Sequence, residues 1–397
     1  MPIKIGYLLP LTGPQAPLGK DSEDGTNMYL ESVNNTVAGR KVEVSYADTQ
    51  GQPDVALTKA KQLVESSHAN VLMGLITTPE CLAVATYAKQ VQEPLLITAN
   101  CYALNLTTDQ QFASPYLARF TGTVAEEYDP ASQWAFKQGL KNAVLISTDY
   151  GGGIEATDSL GASFINAGGN VVQELHPPVG TQDYGPYVAQ LKPDADVILA
   201  FLPGTDGLHF GQALGDYSGA KKPLVIDVAG LITAGPNLAQ LKDKAVGMAG
   251  SALWTEAYDN KANKDLQTAY KAKFPSQIIS KNVVFGYSNA QVLDAALKQV
   301  NGAIEQKQQF MDAIYATNLD TARGPVKLDK YHDIVSTDFI YKIVKNGDAY
   351  QQQLLQSYPD LNQYWDWTPD QLAKLQIGKM KGKWPGMTKD QLRTLLK

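Results

Sequence analysis

The chain is poor in the residues that carry covalent and redox chemistry. It has 2 cysteines and 4 histidines in 397 residues. Cys81 and Cys101 form no C-x-x-C pair and have no histidine at zinc spacing, so neither a metal site nor a dithiol redox site is indicated. His68, His176, His209 and His332 lie far apart in sequence. The G-x-S-x-G elbow, the G-x-x-x-x-G-K-[ST] phosphate loop and H-E-x-x-H are all missing. No catalytic residue, metal or cofactor is expected. Long apolar runs are also lacking: nothing approaches the roughly 18 consecutive apolar residues of a membrane span. Positive charge is in deficit, with 34 Lys and Arg against 40 Asp and Glu, a net charge of -6 and no basic cluster. That argues against nucleic acid and anionic membrane surfaces as partners. The cargo is then a small molecule or a protein.

What the chain does have is enough apolar residue, 44% of the total, to build two or more cores. The run Ile3 to Leu9 stops at Pro10 and is followed by a helical pattern from about Asp21 to Asn34. The unit recurs as Val42 to Tyr46 with Pro53 to Ser66, Val71 to Leu75 with Pro79 to Val91, and then Leu95 to Thr98. Such alternation means a parallel sheet covered on both faces.

An irregular stretch from Thr107 to Pro130 separates this from a second series. Strands are expected at Ala143 to Ser147, Val171 to Glu174, Val197 to Leu202, Leu224 to Asp227 and Val246 to Leu253. Helices are expected at Ser132 to Gln138, Glu155 to Asn166, Tyr184 to Leu191 and Leu208 to Tyr217. Helical patterns at Asn263 to Lys273, Val283 to Asn301 and Phe310 to Thr317 follow, then short strands at Gly324 to Leu328 and Phe339 to Val344. From Tyr350 the chain turns rich in Gln, Tyr and Trp, with short helices after the N-caps Thr368 and Thr388. That tail is read as a strap over one half of the molecule.

The stretch VLISTDYGGGIEA, Val144 to Ala156, sets two readings against each other. Gly151, Gly153 and Ala156 fit G-x-G-x-x-G/A, and Glu174 lies roughly 20 residues on, as a dinucleotide site requires. Against this, bulky Tyr150 precedes the first glycine, and three residues separate it from the strand end, which fits a tight pyrophosphate turn poorly. The glycines are better read as freeing the chain to start a helix.

Ligands of parallel sheets bind beyond the carboxyl ends of the strands. The loops there are PLTGPQAPLG, ITTPE and ITANCY in the first series, and STDYGGG, FLPGTD and IDVAGL in the second. In GLITTPECLAVA, Thr78 is the expected N-cap with Pro79 at the first helical position, and hydroxyls beside free helix amides suit a carboxylate. Thr78 capping only its own helix is the competing reading.

These pieces together resemble the type I periplasmic binding proteins of ABC importers, in the group of the leucine/isoleucine/valine-binding protein. The resemblance rests on IKIGYLLPLTGPQAPLG, ADTQGQPDVALTKAKQLVE, VLMGLITTPECLAVA, SPYLARFTG and STDYGGG, in the family's order, over roughly residues 3 to 345. It implies an α/β fold of two doubly wound parallel-sheet lobes joined by a three-strand hinge. The lobes would be 1–120 with 252–327, and 121–251 with 328–397, crossing near Thr121, Ser251 and Leu328. It implies capture of a small ligand between the lobes by hinge closure, delivery to a membrane permease, an extracytoplasmic (periplasmic) mature form without its signal sequence, and a monomer. Carried over position by position, it places Leu18, Thr77, Thr78, Asn100, Cys101, Tyr102, Tyr150, Leu202, Asp227 and Tyr287 at the ligand. Arg119, beside the first crossing, is read as a structural hinge residue, with ligand contact as the alternative.

Two departures shape the ligand expected. The family's acid for a ligand ammonium falls at Val228, with Asp227 one residue earlier, and one step along a strand end turns a side chain to the other face. Asp227 is therefore either an ammonium partner or a buried residue. Leu202 and Val228 make the site more apolar than an amino-acid site, while Tyr102, Tyr150 and Tyr287 suit an aromatic ring. A small hydrophobic or aromatic carboxylate is favoured, with branched-chain or aromatic amino acids as the alternative and a ligand-sensing receptor module behind both. Cys81 and Cys101 either bridge, as an oxidising compartment allows, or stay free thiols.

Overall fold

A computed structural model describes residues 1–397 apart from Asn105, Ser218, Ala220 and Lys221. The chain forms two compact units, Met1–Thr123 with Asp259–Ser336 and Val124–Tyr258 with Thr337–Lys397, so it passes between them three times.

The first unit begins with β1 (Ile3–Leu9), α1 (Ala16–Ser32), β2 (Thr36–Val37), β3 (Arg40–Asp48), α2 (Pro53–Glu65), β4 (Val71–Gly74), α3 (Thr78–Val91), β5 (Leu95–Ile97) and β6 (Leu117–Arg119). The second contains α4 (Val124–Lys137), β7 (Asn142–Ser147), α5 (Gly151–Ala167), β8 (Asn170–Leu175), α6 (Gly185–Ala189), β9 (Val197–Phe201), α7 (Thr205–Gly215), β10 (Leu224–Val228), α8 (Gly235–Leu241) and β11 (Ala249–Ala252). The chain then adds α9 (Lys261–Lys273), α10 (Lys281–Gln299), α11 (Lys307–Tyr315), β12 (Asn318–Thr321) and β13 (Gly324–Leu328) to the first unit. Strand β14 (Ile334–Asn346) begins there and ends in the second unit, which β15 (Ala349–Leu361), α12 (Pro369–Leu375) and α13 (Lys389–Leu395) complete.

Among the described residues the first unit's main sheet runs β2-β3-β1-β4-β5-β6, parallel except for the β2-β3 hairpin. The chain leaves β1 for β3 on one side and then returns to β4 on the other, which puts a topological switch point at the carboxyl ends of β1 and β4. The second unit's strands run β14-β11-β10-β9-β7-β8, with β15 on β14. Its switch point lies between β7 and β9. Strand β14 is antiparallel to β11, so this sheet is mixed and mainly parallel. The central parallel strands β7, β9 and β10 are buried on both faces and read as apolar runs, such as VILAF in β9, because helices cover both sides.

Several boundaries differ from expectation. Helix α1 starts at Ala16 rather than Asp21, with Pro17 in its first turn, where the missing N–H costs no hydrogen bond. Helix α4 begins at Val124, within the stretch read as irregular; Pro130 lies inside it, and Glu126, Glu127 and Asp129 are buried, so its polar face gave no amphipathic signal. Strand β15 was not anticipated, because its sequence AYQQQLLQSYPDL lacks β-branched residues. The caps Thr368 and Thr388 do start α12 and α13, each with a capping box.

The tail is fixed to the second unit by two indoles. Trp384 is fully buried against α5 and its Nε1–H donates to Asp158 Oδ1 at 2.7 Å, while the amides of Gly378 and Met380 donate to Oδ2. Trp367 Nε1–H donates to Asp129 Oδ2 at 2.6 Å.

Candidate functional site

In the first unit, the loops after β4 and β5 lie side by side, since the Asn100 amide donates to the Leu75 carbonyl at 3.2 Å. Thr77, and not Thr78, is the N-cap of α3. Its hydroxyl accepts from the Glu80 amide (3.3 Å) and donates to Glu80 Oε2 (2.8 Å), and its own amide donates to the same oxygen (2.9 Å). Thr78 becomes the first helical residue and Pro79 the second, both at the surface side of the turn. Because buried Glu80 already brings an acid to this helix start, part of the field that would hold a ligand carboxylate is offset.

Cys101 and Cys81 form a disulfide, which ties the first turn of α3 to the loop after β5. The Cys101 carbonyl accepts from Arg119 Nη1 and Thr121 Oγ1, both at 3.3 Å. Arg119 itself is fully buried. Its Nε and Nη2 donate to both oxygens of Asp333, and Nη1 also reaches the Ala103 carbonyl, so the guanidinium holds the framework together.

Asn100 and Tyr102 belong to a polar chain that the sequence did not reveal. Lys281 Nζ donates to the Tyr102 hydroxyl (3.0 Å), which donates to Asn100 Oδ1 (3.1 Å), and Asn100 Nδ2 donates to Asn282 Oδ1 (2.5 Å). Lys281 also lies 5.6 Å from the Tyr102 ring centroid and 5.7 Å from that of Phe285. Lys281 and Asn282 form the first turn of α10, capped by Ser280, whose hydroxyl donates to Asp21 Oδ2 (2.6 Å). Burial pushes the Asp21 carboxyl up to about 6. Leu18 is half-buried against the core that contains Leu9, Ile76 and Ala99. Tyr287 sits edge-on to Tyr29 where α1 crosses α10, at a centroid distance of 5.2 Å.

In the second unit, Tyr150 precedes α5, which starts at Gly151, so the three glycines form the first turn of the helix rather than a loop before it. A Cβ on Gly153 would stand 2.0 Å from the Thr148 carbonyl oxygen, which explains the glycine without any phosphate. The Tyr150 ring lies over Gly152, and burial, followed by Glu155 and Asp206, raises its phenol above the usual value. Leu202 is fully buried in the core with Val144, Ala200 and Leu208.

Asp227 is also fully buried. Its Oδ1 accepts from the Leu231 amide (3.1 Å), and its Oδ2 from the Ile232 amide, the Thr233 amide and the Thr233 hydroxyl, each at 2.8 Å. Burial pushes its carboxyl up to about 6 in spite of these donors. It organises the loop after β10. Among the described residues no group of His, Cys, Asp and Glu is arranged to hold a metal ion.

Two α/β units with loops gathered at sheet switch points, and a chain that passes three times between them, define a binding protein of the periplasmic type. Residues 2–348 match the family model described as periplasmic binding protein, and the chain belongs to that family. A Leu/Ile/Val-binding protein homolog of Brucella melitensis is 27% identical over 362 residues, covering 90% of this chain and 91% of that protein. A substrate-binding protein of an ABC transporter from Sphaerobacter thermophilus superposes with a TM-score of 0.86 at 28% identity, over 91% of this chain and 99% of that one. A solute-binding protein of an ABC transporter from Rhodopseudomonas palustris, solved with 3,4-dihydroxybenzoic acid, gives 0.83 at 27% identity, over 91% and 98%. The chain is a solute-binding protein of the ABC-transporter class: it binds a small molecule and works with a membrane permease. The family places it outside the cytoplasm.

Proposed function

We propose that the ligand is a small aromatic or hydrophobic carboxylate without an ammonium group. The observation that carries this is Asp227: of its two readings, ammonium partner or buried residue, the second is supported, because the carboxylate is buried and holds four donors of its own loop. An ammonium brought to a site without a matching anion leaves an unpaired charge as water is excluded. The similarity to the Rhodopseudomonas protein solved with 3,4-dihydroxybenzoic acid supports the same chemistry. In this reading Thr78, Asn100, Tyr102 and Tyr150 contact the ligand, and Leu18 and Tyr287 shape its apolar surroundings. Thr77, Cys101, Leu202 and Asp227 support them. The protein acts as a monomer, and a ligand-dependent change of conformation is what the permease reads. It catalyses no reaction on its ligand.

The name of the Brucella relative supports the second reading, a branched-chain amino acid. A thermal-shift and calorimetric panel separates the two, because a ligand that binds only the folded state raises the melting temperature. Benzoate and its hydroxylated derivatives should raise it while leucine, valine and phenylalanine do not. Stabilisation by the amino acids alone would overturn the proposal.

A further inference from the structure

Past residue 348, where the family match ends, the tail does more than cover one side of the second unit. Between Gly378 and Trp384 it wraps the first half of α5, where three of its N–H groups converge on Asp158: the amides of Gly378 (2.7 Å) and Met380 (3.0 Å) and the indole of Trp384 (2.7 Å). The residues between these anchors reach the loop before the helix. Lys381 Nζ pairs with Asp149 Oδ1 at 2.5 Å, and Asp149 is the residue before Tyr150. The Gly382 amide donates to Glu174 Oε1 at 2.9 Å. His176 Nε2 lies 2.6 Å from that same oxygen, and its Nδ1 lies 3.1 Å from Ser147 Oγ. Ser147 closes β7, so this second contact runs back to the strand from which the Tyr150 loop leaves. Consecutive tail residues thus hold the loop on two sides. Glu174, the acid a dinucleotide site would require, is engaged in this connection instead.

We propose that Lys381 is a positioning residue of the ligand site: through Asp149 it fixes the loop that carries Tyr150, so that the phenol meets the ligand already oriented. This rests on Tyr150 contacting the ligand, as read above. A ligand that finds the loop ordered does not have to order it, and affinity rises by the cost avoided. Both side chains of the pair are about half exposed, at 46% and 44%, so the pair adds little to overall stability. Asp158 and the buried Trp384 keep the tail in place without it. Stability and ligand affinity therefore respond separately to the loss of Lys381.

The test titrates benzoate by calorimetry into wild type, Lys381→Met, Lys381→Arg, Asp149→Asn, the Lys381→Met/Asp149→Asn double variant and Tyr150→Leu, with a melting curve for each. Lys381→Met should weaken benzoate about threefold, the scale of one exposed ion pair, while its melting temperature stays close to wild type. Lys381→Arg should bind as wild type does, because the charge is retained. Asp149→Asn should lose the same factor as Lys381→Met, and the double variant should lose no more than either, since all three remove one contact. Wild-type affinity in a folded Lys381→Met protein would overturn the proposal, as would losses that multiply in the double variant, the mark of two independent effects. Failure of the underlying reading is seen separately: Tyr150→Leu with wild-type affinity would take Tyr150 away from the ligand, and the proposal with it. Should wild type bind phenylalanine or leucine and not benzoate, the same variants are titrated with that amino acid and the same outcomes decide, because the pair acts on the loop and not on the ligand's charge.

Discussion

Arg119 and Asp333, 214 residues apart in sequence, form a fully buried ion pair in the first unit, with Arg119 Nε 2.9 Å from Asp333 Oδ1 and Nη2 2.5 Å from Oδ2. Asp333 also accepts from the Thr107 hydroxyl, and Arg119 holds the carbonyls of Cys101 and Ala103. Removing one partner leaves the other charge buried and unmatched. Arg119→Met should therefore lower stability by about 3–5 kcal/mol, measured by urea unfolding. A loss under about 1 kcal/mol would mean that the pair is not desolvated as described.

Asp227→Asn tests whether that carboxylate serves its loop or a ligand. An amide in its place accepts through one oxygen only, where the carboxylate takes four donors across two. Stability should fall by about 1–3 kcal/mol, while the affinity ratio of benzoate to phenylalanine stays at the wild-type value. A selective change in amino-acid affinity would reassign Asp227 to an ammonium.

Asp129 gives stability a pH dependence of unusual sign. Burial, opposed by donors from Ser159 and Trp367, pushes its carboxyl from 3.8 up to about 8. The folded state then holds this proton more tightly than the unfolded chain. The contribution is full below the unfolded value and is lost as pH rises through the folded one, across a window of about 4 to 8. Asp129→Asn should flatten the decline in urea midpoint between pH about 5 and 8. An identical decline in wild type and variant would show that Asp129 is not its source.

The disulfide between Cys81 and Cys101, 20 residues apart, restricts the unfolded chain and fixes the α3 start against the Asn100 loop. Its removal in Cys81→Ser/Cys101→Ser should cost about 3 kcal/mol and weaken benzoate binding, because the ligand must then order the loop. Reductant should shift the melting temperature of wild type and leave the double variant unmoved.

Helices α1 and α10 cross with backbones in contact. A Cβ on Gly25 would stand 2.0 Å from the Val283 carbonyl, and one on Gly286 would stand 2.3 Å from the Ser22 carbonyl. Gly25→Ala therefore forces the helices apart, at about 1–3 kcal/mol or more, and should destabilise as much as Gly286→Ala when the two are compared by calorimetric melting.

The recurring strand-helix alternation, the loops at strand ends and the caps Thr368 and Thr388 were legible because each depends on residues within a few positions of one another: periodicity, proline placement, a hydroxyl three residues before Gln371 or Gln391. The same local reasoning misplaced the cap of α3 by one residue. Thr77 and Thr78 are alike in sequence, and only the reach of Glu80 back to Thr77 separates them. It missed the first half of α4, where Pro130 and three buried acids hide the helix.

By itself the sequence determined the α/β class, the order of the loops that could meet a ligand and the family to which the chain belongs. It could not decide what each side chain in those loops faces. Asp227 lies within β10, in register with Ala200 of β9 and Gly250 of β11, and its carboxylate takes the amides of Leu231, Ile232 and Thr233 in the loop that follows. Lys281 meets Tyr102 across 179 residues because the first turn of α10 packs beside the loop after β5. Secondary structure follows from interactions a few residues long, whereas a charge finds its partner only once sheet order and helix packing have fixed which distant segments share an edge.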